Sequence, residues 1–297
     1  MSKLNRRLGI AFLALVFAFF YAPIGSVVFY SFNASPIASE WTHFSTAWYA
    51  KVAHDEEVLD AVRISVILAL ATAFASTFIG AWIGFVLSNW RRFAGRTLFS
   101  AMVNAPMVLP EVISGISLLL LFVGLEQATG WPQGRGMVTM WIGHVMLCIS
   151  YVAITVQARL AAIEKSLPEA ARDLGATPLR VFFDITLPLV VQALVSGWLL
   201  SFTISIDDVI MSAFLCGPDT TTLPLVLLSR MRIGLDPEIN ALGTLLITIV
   251  GVIVAGNGWF TMKREQRKAR ELRAALADSS KTMADTARGA GRPIPES

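Results

Sequence analysis

Two acids sit side by side in the stretch SFTISIDDVIMSAF, residues 201–214: Asp207 and Asp208. The run around them is apolar enough for a bilayer. A charged side chain at mid-bilayer costs roughly 2.5–3.5 kcal/mol on insertion scales, so an intramembrane acid marks a functional site by default, often a cation route. A third acid, Glu111, directly follows Pro110 in another apolar run. Pro106 and Pro110 stand four residues apart, on one helix face. A proline inside a helix removes a hydrogen bond and bends or opens it. An acid beside opened backbone suits a cavity wall. Trp198, Trp141 and Tyr151 offer ring faces for cation–π contacts. The competing reading is structural. Asp207 or Asp208 can bond Ser205, Thr203 or a neighbouring helix, in protonated form. Glu111 can hold a structural hydrogen bond, and the aromatics can be packing or belt residues.

The elements that must position these groups follow from composition. The chain has 297 residues, of which 55% are hydrophobic and 15% charged. A soluble domain averages about 25% charged. This is a polytopic membrane protein. The net charge of +3 asks for no nucleic-acid partner, and the basic residues flank apolar runs. Cys148 and Cys216 have no CxxC spacing and read as ordinary buried thiols. His43, His54 and His144 form no HExxH pattern, so neither a metal site nor a membrane-embedded enzyme is expected.

A spanning helix needs about 20 apolar residues. Six candidates fall at roughly 8–32, 62–87, 99–124, 137–158, 190–214 and 240–262. The first follows Lys3, Arg6 and Arg7 and is too long for a cleaved signal region. The expected fold is therefore an all-α membrane protein with six transmembrane helices. Most Lys and Arg residues in the loops, including Arg91, Arg92, Arg96, Arg159, Lys165, Arg172 and Arg180, fall on one side. The positive-inside rule makes that side, and both termini, cytoplasmic. The loop over 33–61 is then external, and its Trp41, Trp48 and Tyr49 read as interfacial anchors. Asp219, Asp236 and Glu238 lie in the last external loop and read either as partner-facing or as solvated. The tail over 263–297 is basic, then rich in small residues, and is expected to end disordered against lipid head groups.

In the fifth span Asp207 and Asp208 fall about 26 Å from the inner end at 1.5 Å per residue, in the outer half. Adjacent helical residues point about 100° apart, so both cannot face one small cavity equally. One belongs to a passage and the other to packing or hydrogen bonding. Sequence does not say which.

The longest cytoplasmic connection runs over residues 159–189. Ser166 and Glu169 fit a capping box, with Pro168 in the first helical turn. Gly175 suits the left-handed position that ends a helix, and Thr177-Pro178 starts another. This predicts a short helix, a glycine turn and a second helix at the membrane surface: a docking element, or a simple interfacial helix.

The segment EAARDLGATPLRVFFDITLP resembles the EAA motif, EAA-x3-G-x9-I-x-LP, of bacterial ABC-importer permeases. Glu169, Ala170, Ala171, Gly175, Ile185, Leu187 and Pro188 are the matching positions. LPEVISGISLLLLFVGLE, the di-aspartate stretch and GPDTTTLPLVLLSRMRIGLDPEINALGTLL further resemble the polyamine permeases, over nearly all of residues 8–262. The resemblance implies a type I importer permease, with residues 1–262 as the permease domain. It implies import of putrescine or a related polyamine across a bacterial inner membrane by alternating access. It implies three kinds of partner beside the lipid read from the tail's charge: a homologous permease, two copies of a cytoplasmic ABC ATPase and a periplasmic polyamine-binding protein. The 159–189 loop would be the coupling helix seated in the ATPase, with the seven motif residues as contact or shape-setting groups. No GxxxxGK[ST] pattern occurs in the chain. ATP and Mg are therefore expected on the partner ATPase, with no cofactor in this chain. Other substrates, such as spermidine or a metal–chelate anion, and an ATP-independent cation transporter remain as alternatives.

Overall fold

A computed structural model of the chain describes residues 3–35, 37, 40–90, 92–164, 166–233, 237–249, 251–252, 259 and 263. Two compact units divide it: residues 1–49 with 237–297, and residues 50–236. Among the described residues there is no strand, only an isolated antiparallel bridge between Asn33 and Phe44.

The first unit holds α1 (Lys3–Tyr30), the start of α2 (Ala47–Ala53) and α12 (Pro237–Ile249). The connection after α1 is knotted rather than loose. Asn33 is fully buried, and its amide donates to the Glu40 carbonyl at 2.6 Å. Its side-chain oxygen accepts from Ser35 and Thr42 N–H groups. Trp48 Nε1 donates to the Asn33 carbonyl, and Tyr49 shares a 2.6 Å hydrogen bond with Ser31. Trp41 stacks on Phe29 at 4.4 Å between centroids. The three aromatics expected as interfacial anchors thus brace this connection. Each has an apolar body, and Trp48 and Tyr49 also use a polar tip, as aromatic side chains of that kind do when buried.

The second unit is built on α3 (Glu56–Asn89), α6 (Met137–Ala161) and α9 (Leu187–Asp207), packed on one another. Around them lie α4 (Arg96–Val108), α5 (Glu111–Thr129), α7 (Ser166–Asp173), α8 (Pro178–Val181), α10 (Ile210–Leu215) and α11 (Leu223–Ile233). In lipid, helices associate through close packing rather than water exclusion, and small residues permit it. Val152 of α6 shows this. A Cβ built on Gly80 of α3 would lie 2.7 Å from the Val152 Cβ, and one on Gly197 of α9 would lie 3.3 Å from its Cγ1. At Gly84 a Cβ would meet the Ala153 carbonyl oxygen at 2.8 Å, a backbone atom that cannot swing away. Overpacking of this kind costs about 1–3 kcal/mol. Gly84→Val is therefore expected to lower the melting temperature of the detergent-solubilised protein. Gly124→Ala, where a Cβ meets nothing within 4 Å, is expected to leave it unchanged.

Among the described residues, five helices are long and apolar enough to cross a membrane: Arg7–Tyr30, Glu56–Asn89, Glu111–Thr129, Met137–Ala161 and Pro178–Asp207. The shorter apolar helix Pro237–Ile249 stands where the sixth predicted span begins. The rest of that span, 250–262, lies largely outside the described residues, as does the tail beyond 263. Two predicted spans differ from what is observed. The third, 99–124, is two helices, α4 and α5, separated by extended residues Leu109 and Pro110. The fifth, 190–214, begins earlier and ends sooner. Helical backbone runs continuously from Pro178, α9 stops at Asp207, and α10 follows as a separate turn.

Candidate functional site

The break after Asp207 separates the two acids. Asp207 is the last residue of α9 and is exposed. Asp208 leaves the helix with φ −66° and ψ 132° and is 9% exposed. Its Oδ1 accepts the Met211 N–H at 3.3 Å, and its Oδ2 accepts the Ser212 N–H at 2.8 Å. These are N–H groups at the start of α10 that lack intrahelical partners. The same Oδ2 lies 3.3 Å from Nε2 of His144, which is 1% exposed. His144 Nε2 also approaches the Ser212 hydroxyl at 3.2 Å, and Nδ1 the Ser205 hydroxyl at 2.8 Å. An ionised carboxylate only accepts, so Nε2 then carries the proton and Nδ1 accepts from Ser205. The expectation that both acids project from one continuous helix is corrected: Asp208 is turned inward to hold α9, α10 and α6 together. It does not bond Ser205 directly; His144 stands between them.

His144 belongs to no catalytic pattern in the sequence. The signal was available, since an ionisable side chain in a spanning helix is rare and usually has a partner. Its partner lies 64 positions away, which local pattern cannot reveal.

Glu111 is the first residue of α5, directly after Pro110, and is exposed. The exposed stretch runs without interruption from Met107 to Ile113. Trp198 does not join the acids. Nine residues separate it from Asp207, and at about 100° per residue that places it on the opposite side of α9. It stacks on Phe202, meets Phe74 edge-on and lines an apolar cavity of about 960 Å³ between α3 and α9. The expectation that Trp198 shares a path with Asp207 is therefore corrected. Tyr151 is half-buried on α6, next to Ser150, whose hydroxyl donates to the Val103 carbonyl of α4. Trp141 is exposed near the start of α6. Cys148 is buried and Cys216 only half-buried; both are free.

Of the acids expected in the last external loop, Asp219 is exposed, Asp236 lies outside the described residues, and Glu238 is 3% exposed and so not a solvated group. Asp55 and Glu57, at the start of α3, both accept from Arg230 of α11, at 2.7 and 2.6 Å. The two carboxylates raise the Arg230 guanidinium further above its already high range. The staple therefore keeps its positive member at any working pH.

The loop over 159–189 has a defined shape. Ala176 N–H donates to the Ala171 carbonyl and Gly175 N–H to the Arg172 carbonyl, with φ +84° at Gly175. That pair of bonds is a Schellman termination, which needs a residue without a Cβ penalty. Thr177 caps α8 through the Arg180 N–H. The Ser166 hydroxyl does not cap α7 as expected; it lies 3.5 Å from the Glu164 carboxylate. Residues Phe182–Thr186 form a π-turn, closed by Leu187 N–H on the Phe182 carbonyl. Pro188 has no N–H and its ring crowds the preceding turn, which accounts for the widening there. Ile185 and Leu187 sit half-buried at this bulge. Arg159 Nε donates to the Leu189 carbonyl at 2.9 Å, pinning the two ends of the loop together. No α7 residue is buried, Glu169 and Ala170 are exposed, and Leu174 is 90% exposed.

A pinned loop with an unburied helix, and two interrupted spanning helices with an exposed acid at each break, describe a membrane component built to engage something else. The family described as binding-protein-dependent transport system inner membrane component matches residues 76–257. The chain belongs to this family. It is a multi-pass membrane permease component of a transport system, not an enzyme. It is 46% identical to the putrescine transport system permease protein PotI of Escherichia coli (strain K12), over 90% of this chain and 95% of that protein. It is 35% identical to the spermidine/putrescine transport system permease protein PotC of the same strain, over 84% and 92%. Among solved structures, a bacterial ABC transporter involved in the import of the acidic polysaccharide alginate matches with TM-score 0.64 and 18% identity. That match covers 88% of this chain and 98% of the other. The inward-facing MetNI methionine ABC transporter matches with TM-score 0.53 and 20% identity, over 69% and 95%. Both share the fold of the present chain.

Proposed function

We propose that this permease imports putrescine or a closely related polyamine as one half of a heterodimeric membrane domain driven by ATP. The observation that carries the reading is the 46% identity to a putrescine permease over nearly the whole of both chains. The placement of Asp207 supports it. A carboxylate exposed at a helix end, beside a break in the span, offers a dication a counter-charge without enclosing it. Weak binding suits transport, since a tight site would trap the ligand. Glu111, at the other interrupted helix, is a second acid of the same kind.

In this reading Lys- and Arg-rich loops and both termini face the cytoplasm, where two ATPase subunits bind ATP and Mg. A periplasmic binding protein delivers the polyamine from the other side. The 159–189 loop docks on the ATPase, Glu169 meeting basic groups and Ala170, Ala171 and Gly175 permitting close approach. Leu174 supplies an apolar contact that a free surface would not favour. Closure of the ATPases moves the loop as a unit, because Arg159 ties its ends and the π-turn before Pro188 joins it rigidly to α9.

A β-branched side chain at the φ of Gly175 costs about 1–2 kcal/mol in a left-handed backbone. Gly175→Val is expected to leave the complex assembled but to lose most ATPase stimulation by the liganded binding protein, with Gly175→Asn milder. Full stimulation in Gly175→Val would show that the loop's shape is not used for coupling. Competition uptake tests the substrate. Unlabelled putrescine is expected to outcompete spermidine against labelled putrescine. Uptake that persists in ATP-depleted cells with an intact ion gradient would favour a secondary transporter instead.

A further inference from the structure

Exposed faces of the spanning helices differ in chemistry. On α3 every exposed residue between Ile67 and Trp82 is apolar, while Ser65, Thr72 and Ser76 are buried. That is what a lipid-facing helix should show. On α9 the exposed face instead carries Gln192, Ser196, Thr203 and Asp207. At about 100° and 1.5 Å per residue these four fall within about 60° of one another and extend over about 22 Å. Apolar residues border them: Val191, Val195 and Leu199 on one side and Leu200 on the other.

The hydroxyl protons of this line are already used. Ser196 Oγ donates to the Gln192 carbonyl and Thr203 Oγ1 to the Leu199 carbonyl, both at 2.9 Å. A hydroxyl has one proton and two lone pairs, so what each presents outward is acceptor capacity alone. The carboxylate of Asp207 and the amide oxygen of Gln192 add acceptors at the two ends. An ammonium group is a donor with three N–H bonds and no acceptor. We propose that Gln192, Ser196, Thr203 and Asp207 form a track along α9 for ammonium groups, in which charge attraction is confined to the Asp207 end and neutral oxygens continue toward the coupling loop. This rests on the polyamine reading and deepens it. Ser196 lies one turn from Gln192 and Thr203 one turn from Asp207, about 6 Å along the axis, so the two ends of a short diamine have acceptors at once. Loss of charge along the track lets a dication leave the acid without meeting a second tight site. An anion would find only the Gln192 amide as a donor.

The test uses the full complex in proteoliposomes, with Cys148→Ala and Cys216→Ala as background. Ser196→Cys and Thr203→Cys are treated with methanethiosulfonate ethylammonium, a small water-soluble cation, and with an uncharged membrane-soluble maleimide. Reaction with the cationic reagent at both positions, slowed at least tenfold by putrescine, is the expected result, with Val195→Cys much less reactive. Reaction with the maleimide only, in complexes that import putrescine normally, would overturn the track and leave the polyamine reading intact. Reaction with the cation but no protection and no uptake of putrescine would support the track and remove putrescine as its ligand. As a second measurement, Ser196→Ala with Thr203→Val is expected to cut the maximal uptake rate roughly tenfold while ATPase stimulation persists. Unchanged uptake in that double variant would also overturn the track.

Discussion

Asp207→Asn is expected to reduce putrescine uptake tenfold or more while leaving the complex assembled and folded. Asp207 is exposed at the end of α9, and no fold contact depends on its charge in the way that α10 depends on Asp208. Its neutral amide has nearly the same shape but loses the attraction for an ammonium group. A tenfold loss corresponds to about 1.4 kcal/mol of barrier, a modest demand for a charge met in a partly dehydrated passage. Uptake measured against membrane level, with ATPase stimulation by the binding protein as the second readout, checks this. Stimulation should survive, because the coupling loop lies at the far end of α9.

The neighbouring residue should behave in the opposite way. Asp208→Ala is expected to remove most of the protein from the membrane, with uptake lost only in proportion. The substitution leaves the Met211 and Ser212 N–H groups and the buried His144 ring without their shared acceptor. Each buried donor left without its acceptor costs about 1–3 kcal/mol, so removing an acceptor shared by three takes a large part of a typical domain's stability. His144→Leu should be milder. It removes the ring's polar atoms, fills similar space and leaves Asp208 bonded to two backbone donors, though Ser205 and Ser212 lose a partner. Asp208→Asn keeps one acceptor oxygen and should fall between. The check is membrane abundance together with the melting temperature of the solubilised protein. Loss of uptake per molecule in a stable Asp208→Ala protein would contradict this division of labour.

Some of this was legible in the sequence because the physics is local. Two acids in a membrane-grade run stand out by cost alone, and adjacent positions imply different surroundings: Asp207 is exposed and Asp208 is buried. Pro110 announced a disturbance in the third span, and the chain does separate into α4 and α5 there. Thr177 carries its cap chemistry in its own hydroxyl, and Gly175 suits its turn by having no side chain. What was not legible depends on distant partners. The break after Asp207 has no proline or glycine to signal it; it is held by His144 and Ser212 through hydrogen bonds across the fold. Hydropathy places the start of the fifth span at 190, yet helical backbone begins at Pro178, because a π-turn lets the loop run into α9 without a stop. Trp198 follows its packing alternative for a simpler reason: nine residues from Asp207 is half a turn out of phase. The α9 track was equally countable, but only exposure distinguishes it from the buried serines and threonines of α3.

The central claim is that this permease carries a polyamine past Asp207. Labelled putrescine uptake in cells lacking the gene, complemented with wild type or Asp207→Asn at matched membrane levels, tests it most directly. The account predicts restoration by wild type and at least a tenfold deficit in the variant, with ATPase stimulation retained. Wild-type restoration matched by the variant would contradict a role for the Asp207 charge, and failure of wild type with all partner subunits present would contradict putrescine as the substrate.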